Sequence, residues 1–350
     1  MDMQTVLLLI IVLCTLVLPF TIKKVEEELE IFLFVMGICA ASVSNIWSWT
    51  LIKKSLTEPI EITLTVAVVG IIFTLLRKHL KKAVDLGVKK LGGVWFVFAV
   101  VLFLGLASSL ITAIVAAIIL SEIISLTRFS KEYESKLTVY ACYAIGLGAV
   151  LTPVGEPLST IVISTLRGAP HHADFFFLLT HLGEWVIPGV IISSAFAAFG
   201  ARKERFDYAK SNSLSEKDKE TSTDMLVRAG KVYIFVMALV YLGGGLTPLA
   251  QKYILPLHSG ILFWANSVSA ILDNATLAAA EITPTMTTKQ IEFILMGLLI
   301  SGGMLIQGNI PNIISASKLR IKSKIWARTA VPFGLVLMLI YFILMQIIVK

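Results

Sequence analysis

No nucleotide or metalloprotease signature interrupts this sequence. It has no P-loop, no glycine-rich dinucleotide fingerprint and no HExxH pair, so pumping driven by ATP would need a partner. Cysteine is scarce. Cys14, Cys39 and Cys142 form no CxxC pair and sit in apolar surroundings, which excludes a disulfide scaffold or zinc site and predicts plain buried packing for all three. A secretory signal is also missing its marks: Asp2 stands where a basic n-region would be, and no small-x-small cleavage site follows Val6 to Phe20. That stretch is expected to be retained as a first membrane span. Charge is nearly absent from the runs Val6 to Phe20, Ile60 to Leu76, Trp185 to Gly200 and Val331 to Val349. Each approaches the roughly 20 residues needed to cross about 30 Å of hydrocarbon.

What is abundant agrees with this. The 350 residues are 57% hydrophobic and include 23 glycines, more apolar than a soluble domain of this size. The fold class expected is an all-α polytopic membrane protein. The net charge of +7 gathers in short stretches, so it reads as topology and gives no reason to expect nucleic acid as a partner. Arg77 to Lys90, Arg128 to Lys136, Arg202 to Lys231 and Lys318 to Arg328 are expected as cytoplasmic loops. Leu166 to Glu184, Gln251 to Ser259 and Ile282 to Gln290, poor in Lys and Arg, go outside with both termini.

Two consequences follow from these loops. Between Lys90 and Arg128 the chain must leave the cytoplasm and return, turning near Leu106 to Thr112; two thin spans fit, and so does a re-entrant hairpin. The mirror reasoning predicts a second hairpin over Gly260 to Thr283. Each is followed by an interrupted span. Leu137 to Leu166 is broken around Thr152, Pro153, Gly155, Glu156 and Pro157, and Ile291 to Ser317 around Gly303, Gly308, Asn309, Pro311 and Asn312. Proline removes a donor and glycine loosens the helix, freeing backbone groups. The units expected are residues 1–59 with two leading spans, 60–200 as a first repeat, 201–230 as a flexible cytoplasmic linker, and 231–350 as a second repeat of opposite orientation. Such an inverted repeat, with two re-entrant hairpins and two discontinuous transmembrane helices, places a transporter's substrate near the midplane.

Ionisable groups inside a bilayer are functional candidates. Asp273, beside Asn274 with Ser269 and Thr276 near, makes a hard-oxygen set suited to sodium or a proton; it also suits an N-cap. Glu156, with Thr152, Ser159 and Thr160 around it, has three roles open: binding a cation, carrying a proton, or capping an unwound segment. Asn309 and Asn312, with Gln307, offer oxygens to a cation, N–H groups to an anion, or partners for broken-helix backbone. The first hairpin tip holds only Ser108, Ser109 and Thr112, of which Thr112 is a candidate ligand. Glu122 and Glu281, in the outgoing hairpin arms, read equally as relays or interfacial charges. His171, His172, Asp174, His181 and Glu184 form an external group that a wet loop before an interfacial helix explains; pH sensing or metal binding is the alternative.

With these motifs laid out, the chain resembles the ion transporter superfamily, which includes NhaD-type sodium/proton antiporters, ArsB-type arsenite transporters and divalent-anion/sodium symporters. More narrowly it is similar to the prokaryotic DUF1646 group. Asp273-Asn274 matches the antiporter hairpin, Thr152-Pro153-Val154-Gly155 the first broken span, and Gly308-Asn309-Ile310-Pro311-Asn312 the second. The resemblance implies a homodimer in the inner membrane, surrounded by lipid, whose transport domain moves against a scaffold. It further implies that no cofactor is used beyond transported or coupling sodium ions and protons. Two departures stand out: the first hairpin tip lacks Asp or Asn, and neither hairpin has the Ser-Asn-Thr signature of carboxylate symporters. The leading expectation is a secondary sodium/proton antiporter, not an enzyme, working by elevator-type alternating access on a small cation. A sodium-coupled symporter of a small anion or organic solute, and a channel or non-transporting membrane protein, are the alternatives.

Overall fold

The computed structural model describes residues 2–127, 129–202, 204, 222–253, 259–271 and 274–348, and every regular element among them is helical. The chain opens with α1 (Met3–Thr21), the short α2 (Lys23–Glu27) and α3 (Leu29–Val43). It then enters α4 (Trp49–Leu91), one helix of 43 residues. At about 1.5 Å per residue α4 is roughly 65 Å long, about twice the hydrocarbon thickness. Ile60 to Leu76 is therefore the middle of a longer helix, and the basic stretch 77–90, expected as a loop, is helical. Both ends have local causes. Ser48 Oγ accepts from the Leu51 N–H at 3.1 Å, Lys89 and Lys90 complement the negative end of the helix dipole, and Gly92 stops the helix with a φ of 75°.

Next come α5 (Gly93–Ile111), α6 (Ala113–Thr127), α7 (Lys131–Ala149), α8 (Pro157–Thr165) and α9 (Phe177–Ala201). Residues 205–221 of the linker lie outside the described residues, and α10 (Ser222–Tyr253) takes up its last stretch. The remainder is α11 (Ser259–Ala265), a 3-10 turn (Asn266–Ala270), α12 (Asn274–Glu281), α13 (Thr288–Gly302), a second 3-10 turn (Ile306–Gly308), α14 (Ile310–Leu319) and α15 (Ser323–Ile348). A capping box between Thr287 and Gln290 starts α13, and Arg320, in the left-handed region at φ 54°, ends α14. The basic loop expected from Lys318 is thus reduced to residues 320–322, and Glu184, expected in a connection, lies inside α9.

Among the described residues, four helices are long and apolar enough to cross a membrane: Gly93–Ile111, Phe177–Ala201, Gly230–Leu249 within α10, and Ser323–Ile348. Their outer faces carry the apolar residues. α15 buries Leu337, Met338, Tyr341 and Met345 while exposing Val336, Leu339, Ile343 and Ile347. Water does not favour such a surface, whereas lipid is indifferent to it. The chain is an α-helical membrane protein.

Small residues set the closest approaches between helices. At the α3–α10 contact, a Cβ on Gly245 would stand 2.5 Å from the backbone carbon of Ala40. The same contact is fastened by the Ser44 hydroxyl, which donates to the Gly245 carbonyl, while Ser55 Oγ on α4 donates to Tyr241 OH on α10 at 2.7 Å. At the α5–α7 contact, a Cβ on Gly148 would lie 1.8 Å from the Gly105 carbonyl oxygen. Backbone rather than a movable side chain occupies that space, so Gly148→Ala is expected to force α5 and α7 apart and cost about 1–3 kcal/mol or more. Gly168→Ala, where nothing lies within 4 Å, is the control expected to leave stability unchanged; thermal unfolding in detergent compares the two.

Candidate functional site

The first broken helix stops at Ala149 and resumes at Pro157, which fits the first turn of α8 because its missing N–H has no intrahelical partner there. The chain between is fastened to the turn that separates α5 from α6. Thr152 donates its hydroxyl to the Ser109 carbonyl, and the Ala113 N–H donates to the Gly155 carbonyl at 2.9 Å. Thr160 Oγ1 donates to the Pro153 carbonyl at 2.6 Å, closing the loop on itself. Gly155 permits this fold-back, since a Cβ would meet the Ala149 carbonyl at 2.0 Å. Thr112 holds the facing turn at φ 73°, a strained backbone for a β-branched residue, with its hydroxyl accepting from the Val115 N–H at 3.3 Å as cap of α6. Ser108 donates to the carbonyls of Gly105 and Ile145, and Ser109 to that of Leu106. Ser108 thereby ties α5 to α7, whereas the Ser109 hydroxyl bonds back within α5.

The second broken helix stops at Gly302 and resumes at Ile310, with Pro311 in the first turn of α14. Asn312 bridges the break: its amide donates to the Gly302 carbonyl at 2.9 Å and to the Leu305 carbonyl at 3.0 Å. Ser301 Oγ donates to the Asn266 carbonyl at 2.7 Å, and Ser269 Oγ to the Leu298 carbonyl at 3.4 Å. The 3-10 turn after α11 thus lies on the second broken helix. A Cβ added to Gly302 would stand 3.6 Å from Asn274 Nδ2 and 3.7 Å from Ser269 Oγ, and one on Gly308 3.0 Å from the Ala270 carbonyl. Gly303 turns on the face of Tyr143, where a Cβ would come within 2.4 Å of the ring.

The two breaks also meet one another. Asn309 reaches α7, with its Nδ2 3.0 Å from where a Gly146 Cβ would be, and the Cys142 thiol lies 3.7 Å from the Pro311 carbonyl. Glu156 and Asn309 occupy equivalent places: each is the extended N-cap of a half-helix, at φ −156° in both, and each is buried, at 7% and 6% exposure. Ser159, one turn into α8, is fully buried with no hydrogen-bond partner on its hydroxyl. Asn274 opens α12 with its Nδ2 likewise buried and without one. Asp273 lies outside the described residues, as does the side chain of Thr276, whose backbone is in the first turn of α12. Chemically, the described residues here offer buried oxygens, the Glu156 carboxyl group, and the starts of α8 and α14 at the breaks and of α6 and α12 at the facing turns.

Sequence reasoning missed a contact beside this place. Glu122 of α6 and Lys318 of α14 form an ion pair at 2.7 Å with both side chains largely buried. Glu122 is therefore a partner of Lys318. Cys142 is buried as expected, but Cys14 and Cys39 are half-buried, because they lie toward the outer faces of α1 and α3. His171 and His181 flank the same Phe177 ring, at centroid distances of 6.2 and 4.5 Å; His171 Nε2 contacts the Met286 carbonyl at 2.9 Å and His181 approaches Glu292 at 3.8 Å. Among the described residues no group of three or more His, Cys, Asp or Glu is placed to hold a metal ion.

The Glu122–Lys318 pair makes a direct prediction. Lys318→Met strands a largely buried carboxylate and is expected to destabilise the protein by several kcal/mol, on the scale of about 3–5 kcal/mol for breaking such a pair. Adding Glu122→Leu is expected to restore most of the loss, as read by unfolding in detergent; an additive double mutant would show that the two side chains do not interact.

No curated protein matches the chain. A match does extend over residues 5–348, nearly its whole length, to the family described as "Protein of unknown function (DUF1646)". With its helical breaks, its buried polar residues and this match in hand, the chain belongs to the DUF1646 family.

Proposed function

We propose that the protein is a secondary active transporter of the inner membrane that exchanges a small cation, sodium first among them, for protons. The observation that carries this reading is Glu156, a buried acidic residue at the N-cap of a half-helix, in a break fastened to the facing hairpin turn. No Lys or Arg belongs to either break, residues 150–156 or 303–309, so an anion would find no basic side chain in them. A carboxylate that takes either a cation or a proton couples the two fluxes by competition alone. Asp273, beside Asn274, is proposed as its counterpart in the second hairpin.

An inverted repeat underlies the proposed movement. Its support is the way contacts exchange when α4 to α9 are matched with α10 to α15. α8 packs on α12 and α14 on α6; α4 packs on α6 and α10 on α12; α7 packs on α15 and α13 on α9. Each half thus inserts its second half-helix against the other half's hairpin. On this reading α5–α6 and α11–α12 are the re-entrant hairpins. Together with the broken helices they carry the site between faces as a body, against a scaffold that includes α3, α4 and α10. A homodimer, N- and C-termini outside and kinship with the wider ion transporter superfamily belong to the same proposal.

A symporter of a small anion is the second reading, favoured by one observation: α8 and α14 begin at the breaks and α6 and α12 after the turns that face them, and helix N-termini attract anions. Reconstitution separates the two. In proteoliposomes with an internal pH dye and an imposed proton gradient, sodium is expected to produce a pH change that is abolished in Glu156→Gln and in Asp273→Asn. No response to sodium, lithium, potassium or calcium, from liposomes shown to contain folded protein, would sink antiport and turn the search to sodium-coupled uptake.

A further inference from the structure

A second buried acid lies away from the helix breaks. Glu281 ends α12 and is fully buried, as is Asn266, the first residue of the 3-10 turn after α11. Asn266 Nδ2 donates to Glu281 Oε2 at 3.0 Å, with a longer contact of 3.4 Å to the Ile294 carbonyl of α13. The other oxygen of each side chain, Glu281 Oε1 and Asn266 Oδ1, is buried and has no hydrogen-bond partner among the described residues. Two acceptors without a donor, one of them on a carboxylate, are costly in a dry interior.

The described charged groups on the neighbouring elements are engaged elsewhere. α12 packs against α8, α10, α13 and the 3-10 turn, and neither α8 nor that turn contains a charged residue. On α13, Lys289 lies by the Phe293 ring and Glu292 by His181. On α10, Lys231 pairs with Glu28 and Glu30, and Lys252 with Asp2; the side chains of Asp224 and Arg228 are outside the described set. What the pair lacks is one hydrogen. A proton on Oε1 removes the charge and supplies a donor, and a carboxylic acid and an amide are complementary: the amide N–H gives to one acid oxygen while the acid O–H gives to the amide oxygen.

We propose that Glu281 and Asn266 form a proton-binding site, separate from the helix breaks and occupied at neutral pH. It joins the two arms of the second hairpin, because Asn266 follows α11 while Glu281 ends α12, and the Ser301 bond to the Asn266 carbonyl ties it to α13. Release of the proton leaves a bare carboxylate in that seam and loosens the hairpin from α13. For transport, resting on the antiport reading above, this gives the second hairpin a proton site of its own, additional to the Glu156 break where cation and proton compete.

Infrared spectroscopy of the whole protein in lipid tests occupancy without any assay of transport. The carbonyl stretch of a protonated carboxylic acid, above the amide I band, is expected at neutral pH. It should fade as pH is raised, be absent in Glu281→Gln, and persist in Glu156→Gln. A glutamine amide can make both bonds of the acid–amide pair, so E281Q is also expected to fold with wild-type stability. Absence of the band in wild type, a band unchanged in E281Q, or an E281Q protein that does not fold would each overturn the proposal. A band lost in E281Q from a protein that exchanges no ions would keep the proton site and reject antiport.

Discussion

Everything in this structure depends on satisfying backbone polar groups where water is excluded. A helix does this by itself; a broken helix does not, and inside a membrane it must borrow partners from neighbouring protein. Residues 150–156 take theirs from the first hairpin turn, through the Ala113 N–H to the Gly155 carbonyl and the Thr152 hydroxyl to the Ser109 carbonyl. The second break is bridged by Asn312, whose amide serves both the Gly302 and Leu305 carbonyls, and is braced by Ser301 against Asn266. Each break thus requires its hairpin.

That requirement also gathers buried polar side chains around the breaks. α8 and α14 start at the breaks and α6 and α12 after the turns that face them, and the buried Glu156 side chain lies at the head of α8. The balance between fixed positive dipoles and an ionisable oxygen is the kind that one proton or one cation can tip. Removed to the end of α12, the Glu281–Asn266 pair gives a second place where a single hydrogen changes the local energy.

Much of this was legible in the sequence because breaking a helix in an apolar run takes recognisable residues. Pro153, Gly155 and Pro157, then Gly303, Gly308 and Pro311, mark both interruptions, and Glu156 and Asn309 fall at the matching cap positions. The length of α4 was not legible. Basic residues signal the same membrane side whether carried by a loop or a protruding helix, so 77–90 read as a loop. Nor were the side-chain pairs. Glu122 with Lys318, and Asn266 with Glu281, are brought together by tertiary packing between separate elements, for which no local pattern exists. Half-burial of Cys14 and Cys39 escaped for a related reason: in a lipid-facing helix an apolar neighbourhood in sequence does not mean the core.

The central claim is that the breaks bind a cation in competition with protons. Equilibrium binding of radioactive sodium to the purified protein, measured across pH with wild type and Glu156→Gln, addresses it most directly. Saturable sodium binding that weakens as pH falls, and is lost in the Gln variant, is the predicted result. Binding that is absent at every pH, or that neither protons nor the loss of the Glu156 carboxylate affects, would contradict it.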